Sequence, residues 1–342
     1  MHLFWRTAAG IMACFFFAKN ATAIEPGSSA EISYEYLDLP ESSFTHTFDF
    51  FVQNAPVSVP SREQNHDGDV DGARLDLSLA GTGIFMGAPV VAGVKGYYAE
   101  HDGDQVISCQ TLTLAQACNR MPLFDPDPNL QSSVGYGAGV AVYESKLDTR
   151  TWGIALEAQT AGSKPIFGVA DLKLGAGYRR IDTEFTINGG RVSGGAPVPF
   201  TLDEDNGTGY LGGYVGAGST LPLGAGFVLT IDAEVGVYWA HTEYDGQYTS
   251  AGMVGVAQSL SLERDEAAAV AALKLGFEKD FGSFQVAVFG RGEYYSYAPE
   301  MRYNEIDRVG GVALGGIRDG TTIGDGDAWT ASAGGRVTVP FN

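Results

Sequence analysis

The side chains best placed for chemistry are a histidine among carboxylates and a run of alternate aspartates. His241 is followed at alternate positions by Glu243 and Asp245, and alternate residues of an extended chain share one face, so a base and two acids line up. Such a group can activate water for hydrolysis. A solvated histidine beside carboxylates is the commoner arrangement, and none of His46, His66, His101 and His241 has an evident triad. His46, in Ser43-Phe44-Thr45-His46-Thr47, has a hydroxyl on each side but no acid. Asp67, Asp69 and Asp71 read D-x-D-x-D-G through Gly72, like the opening of a calcium loop, but the twelfth position is Ser78 where the bidentate glutamate belongs. The run is a weak calcium candidate and reads first as a solvated acidic loop. No cofactor is expected.

The elements that must carry these residues are strands. In residues 226–245, Phe227, Leu229, Ile231, Ala233, Val235, Val237 and Trp239 fall on one face, and Val228, Thr230, Asp232, Glu234, Gly236 and Tyr238 on the other. A strand sends alternate side chains to opposite faces, so this one separates oil from water. Twelve residues at roughly 3.3 Å, tilted roughly 40°, rise about 30 Å, the apolar band plus girdles of a transmembrane barrel. Phe227 and Trp239 bracket the band. Only 18% of the 342 residues are charged and Gly numbers 47, about twice the usual ~7%. With no apolar run of ~18 residues for a spanning helix, a membrane chain must close its backbone hydrogen bonds as a barrel.

The same alternation recurs at 72–80, 85–98, 134–144, 151–161, 166–182, 207–221, 266–281, 283–297 and 329–341, with weaker segments at 30–38 and 43–52. Tight turns are expected at Leu221-Pro222-Leu223-Gly224 and Asp280-Phe281-Gly282-Ser283. Twelve antiparallel strands, with ten as the alternative, satisfy the even count of an up-and-down barrel. Twelve strands put the long segments 54–71 and 99–133 on the side of the short turns, whereas 188–206, 246–265 and 298–326 fall on the opposite side. The domain reading is residues 1–23 as a cleaved leader, 24–71 as an N-terminal segment with first strands and the acidic loop, and 72–342 as barrel.

The inward face is expected to carry Arg74, Lys95, Lys173, Arg179, Lys274, Arg291 and Arg336 against Asp76, Glu157, Asp171, Asp232, Glu234, Glu278 and Glu293. Charges of both signs either fill a narrow lumen as ion pairs or line a weakly selective aqueous pore. Lys274 is the nearest basic candidate, in sequence order, for Asp232 and Glu234. Trp152, Phe227, Trp239, Tyr294, Trp329 and Phe341 are the expected aromatic girdle. Tyr295, Tyr297 and Tyr303 belong to the same belt on this reading.

Met1 to Arg6 is a short basic stretch, 7–18 is apolar with Phe15, Phe16 and Phe17, and Ala21-Thr22-Ala23 fits an export cleavage site. Removing residues 1–23 takes away Arg6 and Lys19 and leaves 19 basic against 41 acidic residues, a net charge of −22. Nucleic acid is therefore an unfavoured partner. Cys109 and Cys118 also remain, and in an exported chain a disulfide is their default, worth roughly 2.5 to 3 kcal/mol for so small a loop.

The final strand alternates Trp329, Ala331, Ala333, Gly335, Val337, Val339 and Phe341 with Thr330, Ser332, Gly334, Arg336, Thr338 and Pro340. It resembles the C-terminal strand of Gram-negative outer-membrane β-barrel proteins, with the aromatic residue penultimate, before Asn342. That resemblance implies an outer-membrane location, lipid as the surroundings, and the barrel-assembly machinery as partner during insertion. It leaves any surface partner unnamed. It names a class and no particular activity; the balanced inward charges are read as a structural barrel or weakly selective passive pore, and no enzyme is expected. The alternatives are a barrel protease or lipid-acting hydrolase with its site at the extracellular rim, toward which the His241 group points, and an autotransporter-type translocator.

Overall fold

The computed structural model describes residues 27–40, 42–46, 49–52, 55–58, 62–66, 68–85, 88–110, 140–160, 171–193, 196–250, 256–302, 306–309, 312–317 and 322–340. Ten strands form one closed antiparallel barrel: β1 (Gly27–Asp38), β2 (Asp69–Phe85), β3 (Ala88–Gln110), β4 (Val140–Thr160), β5 (Asp171–Ser193), β6 (Ala196–Gly224), β7 (Phe227–Ser250), β8 (Val256–Asp280), β9 (Gln285–Arg302) and β10 (Thr322–Pro340). Each strand pairs with its neighbours in sequence, and β10 pairs with β1 from Asp38↔Trp329 to Gly27↔Pro340. Closure leaves the sheet no open edge, the condition a strand-built membrane protein must meet.

The count is ten, not twelve, for two reasons. The segment 43–52 does not enter the wall: Ser42–His46 pairs with Arg62–His66, and Asp49–Val52 with Ala55–Ser58, as an outer ribbon continuing the β1–β2 hairpin. The segments 134–144 and 151–161 are not two strands, because β4 runs unbroken from Val140 to Thr160 through the charged stretch Lys146-Leu147-Asp148-Thr149-Arg150. Ten strands place the strand ends Asp38, Asp69, Gln110, Val140, Arg302 and Thr322 together at one end, and Gly27 and Pro340 with the turns 225–226 and 281–284 at the other. The expected loops 188–206 and 246–265 are mostly strand, since β5 to β8 extend as paired ribbons to Ser193, Ala196, Ser250 and Val256.

At the short-turn end β6 runs three residues past the expected corner. The two-residue link Ala225-Gly226 has φ of 52° and 77°, positive at both positions as a type I′ hairpin turn requires. The Phe281–Phe284 link joins β8 to β9 as expected, closed by the Phe281 amide donating to the Phe284 carbonyl at 3.0 Å.

Alternation sorts the faces. Val237 is 71% exposed whereas the next residue, Tyr238, is 2% exposed, so the apolar face of β7 points outward and its polar face inward. Ile32, Leu77, Leu174, Leu211 and Val288 are likewise exposed on the outer wall, a continuous apolar belt that only a lipid surrounding makes favourable. Tyr36 with Trp329, ring centroids 5.2 Å apart, and Trp152 with Tyr178, 5.3 Å apart, lie on the outer wall toward the ribbon end. Phe227 stacks on Phe277 at the other margin. Trp239, Tyr294 and Trp329 are exposed on the same wall, and Phe341 lies outside the described residues. Part of the high glycine content serves the interior. A Cβ at Gly153 would stand 2.5 Å from the Tyr97 ring, and one at Gly175 would collide with the Tyr214 ring. Inward tyrosines thus lie flat against bare backbone.

Candidate functional site in the barrel interior

The inward side chains form three layers. In the middle layer, β2 presents Arg74, whose Nη1 donates to Glu35 on β1 at 2.7 Å, while Nε and Nη2 donate to the two oxygens of Asp76 at 2.8 and 3.0 Å. From across the barrel, β9 contributes Arg291, which donates to Asp76 at 3.3 Å and pairs with Glu293. Glu293 also takes Arg179 of β5 at 3.3 Å, the Tyr295 hydroxyl at 3.0 Å and the more distant Arg74 at 3.9 Å. The Arg74 guanidinium lies 4.0 Å over the Tyr97 ring, a favourable cation–π position. Three arginines thus face the three carboxylates Glu35, Asp76 and Glu293. Balance is what burial demands: the side chains of Arg74, Glu35 and Glu293 are 2%, 1% and 0% exposed, and an unpaired charge there would be costly.

Toward the ribbons lies an aromatic and apolar layer. Tyr210, Tyr238, Tyr295, Tyr297, Ile181 and Val270 pack together with small alanines of β7 to β10. Their hydroxyls are accounted for where the core is tightest: Tyr210 donates to the Tyr297 carbonyl at 3.0 Å, and the Tyr297 hydroxyl meets Thr242 at 3.3 Å. Aromatic rings with satisfied hydroxyls fill a wall-to-wall space without leaving orphaned polar atoms.

Toward the short turns the interior widens into a cavity of about 460 Å³, lined among others by Glu31, Lys95, Lys173, Asp232, Lys274 and Arg336. Lys173 bonds Asp232 at 2.7 Å, Lys95 bonds Glu234 at 3.2 Å and pairs with Glu157, and Arg336 pairs with Glu278. Lys274 is not the partner of Asp232 or Glu234. Although it sits opposite Asp232 in the register, it reaches round the wall to Glu31 on β1 at 2.6 Å. The reason is supply: Lys173 and Lys95 already neutralise the two β7 carboxylates from the other side. The Lys95 and Asp232 side chains are 39% and 31% exposed, so water reaches this layer more freely than the one above it, where Asp76, Arg179 and Arg291 border the same cavity but Arg74, Glu35 and Glu293 are buried.

Thirteen of the fourteen expected interior charges face inward; the Asp171 side chain lies outside the described residues. Sequence reasoning missed Glu31, Glu35 and His101. The signal was present, since Glu31, Ser33 and Glu35 alternate with Ile32, Tyr34 and Tyr36, but in a segment read as weak. The other candidates sit elsewhere. His241 lies on the outer wall of β7 beyond Trp239, with Nδ1 2.8 Å from Asp265 and Nε2 3.6 Å from Glu243. Asp69 and Asp71 lie on β2, facing outward, and Asp67 lies outside the described residues. On a strand, alternate carboxylates point side by side instead of converging, and among the described residues no group of three metal-ligating side chains is gathered. The Cys109 side chain and all of Cys118 lie outside the described residues, as do the side chains of His46 and His66.

No family model and no curated protein matches the chain. Among solved structures it is similar to the outer membrane protease OmpT from Escherichia coli, at TM-score 0.45 and 10% identity over 94% of this chain and 98% of that one. A FadL homologue of Pseudomonas aeruginosa matches at TM-score 0.25 and 7% identity over 93% and 91% of the two chains. The Pseudomonas putida toluene transporter TodX matches at TM-score 0.28 and 12% identity over 95% and 90%. Likeness this remote carries no activity across. A closed ten-stranded antiparallel wall, apolar outside and charged inside, gives the chain the fold of a membrane-spanning β-barrel.

Proposed function

We propose that this chain is an integral outer-membrane barrel with a closed interior, a structural barrel and not an open pore, whose working surface is the set of raised ribbons. The observation that supports the reading is the middle layer, in which charge-balanced side chains as little exposed as Arg74, Glu35 and Glu293 span the interior beneath a tyrosine layer. Weakly selective conduction is the alternative, supported by the mixed charges of the wider cavity. Single-channel recording on the refolded chain in planar bilayers tests it. No conductance steps are expected from the wild type, and steps are expected from an Arg74→Ala, Glu293→Ala double variant. Steady steps from the wild type would replace the proposal with the pore. Residues 1–23 serve as the export signal on this reading and the alternating C-terminal strand as the assembly signal, and an intact mass beginning at Ile24 checks the cleavage.

On this reading the chain is not an enzyme, and His241 with Asp265 is a surface ion pair. The hydrogen bond to Asp265, with Glu243 and Glu263 adding to it, holds the imidazole above the usual histidine range. A raised folded value means the pair's contribution is complete at acid pH and is lost as pH rises through that value. Nuclear magnetic resonance titration is expected to show an elevated His241 transition that falls in Asp265→Asn. An unshifted transition contradicts the pair, and peptide or phospholipid hydrolysis abolished in His241→Ala would favour a hydrolase.

A further inference from the structure

His101 is buried on the inward face of β3, 1% exposed, and takes no part in the Arg–carboxylate pairs except through Glu35. The two come from strands that are not neighbours. They touch at 3.2 Å, Nε2 to Oε1, because the residue between them in register, paired to Glu35 on one side and to His101 on the other, is Gly72. The other Glu35 oxygen accepts from Arg74, and the geometry suits Nε2 as the ring nitrogen that donates to Glu35. Nδ1 is then the ring nitrogen left facing away from Glu35.

On its far side His101 faces β4. Thr149 is its direct cross-strand partner, and Thr151 is the partner of Ala99, one inward position along. Both threonines are buried, 1% and 5% exposed. His101 Nδ1, Thr149 Oγ1 and Thr151 Oγ1 are each sealed from solvent without a hydrogen-bond partner in the protein. Buried polar atoms rarely go unsatisfied, and here three belong to neighbouring inward positions of one strand pair. Opposite residues of a strand pair have Cβ atoms roughly 4.5–5.5 Å apart and diagonal ones lie within roughly 8 Å, spacings that a single bridging molecule with bonds of about 2.8 Å spans.

We propose that His101, Thr149 and Thr151 form a binding site for one ordered water molecule, which donates to Nδ1 and bonds the threonine hydroxyls. The chemistry selects water over an ion. A cation would sit beside Arg74 with both oxygens of Glu35 already engaged, and an anion would find no spare positive group, because Arg74 is held by Glu35 and Asp76. A small neutral molecule that both donates and accepts fits, and buried water of this kind makes two to four such bonds. The bound water completes a polar row from Thr149 and Thr151 through His101 and Glu35 to Arg74, tying β4 to the middle layer. It also gives His101 a proton-exchange partner within the closed wall. The site does not depend on whether the barrel conducts.

A crystal structure at a resolution that shows ordered solvent tests this in the unaltered chain, with a solvent peak expected within hydrogen-bonding distance of all three atoms. In the Thr149→Val, Thr151→Val double variant, nitrogen-15 histidine spectra are expected to show the His101 Nδ1 signal moving to the position of an unbonded ring nitrogen. A wild-type map without that peak, or with a direct threonine–Nδ1 bond, overturns the proposal. So does an Nδ1 signal identical in wild type and variant. If the variant does not refold, the wild-type map decides.

Discussion

Glu293→Gln is expected to lower the stability of the folded barrel by about 3–5 kcal/mol, the range for breaking a buried pair from one side. The substitution keeps the side chain's shape and removes its charge. Glu293 is fully buried and shared by Arg291, by Arg179 at 3.3 Å and by Arg74 at 3.9 Å, with the Tyr295 hydroxyl donating at 3.0 Å. Neutralising it turns a layer of three cations and three anions into one with a surplus, largely buried cation. Asp232→Asn is the comparison: its side chain is 31% exposed and held by Lys173 at 2.7 Å, so solvent screens the loss and about 1 kcal/mol or less is expected. Reversible urea unfolding in detergent, followed by tryptophan fluorescence, measures both. Equal shifts of the two midpoints would mean that the middle layer does not hold the barrel as its geometry implies.

The second large effect is steric. At Gly72 an added Cβ would fall onto the backbone carbonyl of Glu100 and within 2.9 Å of the His101 Cα. Backbone cannot swing aside as a side-chain tip can, so Gly72→Ala must spread β2 from β3 and separate Glu35 from His101. Overpacking of this kind costs about 1–3 kcal/mol, and the lost contact adds to it. Gly81→Ala, on the same strand with nothing within 4 Å of the new methyl, is expected to be neutral or stabilising by about 0.5 kcal/mol. The same urea series checks the order. A Gly72→Ala midpoint matching that of Gly81→Ala would show that the wall accommodates the methyl.

The sequence patterns show how far such features can be read in advance. Alternation in 226–245 and 266–281 was legible because lipid imposes it: one face must be apolar over the whole membrane thickness. Beyond the lipid that demand ends. Ser145-Lys146-Leu147-Asp148-Thr149-Arg150 looks like a loop because both faces are polar, yet it is strand, held in register by hydrogen bonds with β3 and β5. That polar break split one strand into two, and with the ribbon segment 43–52 counted as wall it made twelve out of ten. The interior charges were readable as a set but not as pairs, because strand parity says which residues face inward and nothing about which meet. Glu31 meeting Lys274, and Glu35 meeting His101 across a glycine, follow from closure and curvature. His241 stands beside Glu243 as its alternate spacing implied, on the outer face that Trp239 shares, while its nearer partner Asp265 comes from the neighbouring strand.

The origin of the partners in the middle and lower layers also bears on the order of assembly. Glu31 and Glu35 enter from the first strand, whereas Arg291, Glu293 and Arg336 enter from the last two. Until β1 meets β10, a nascent barrel holds Arg336 and Lys274 without Glu31, and Arg74 without the far half of its layer. Arg336 with Glu278, and Arg74 with Glu35 and Asp76, can pair within the open sheet, but Lys274–Glu31 and Arg291–Asp76 form only when the seam zips. Completion of the wall therefore also completes the neutralisation of its contents, and an incomplete barrel differs from a finished one in interior charge as well as in its open edges.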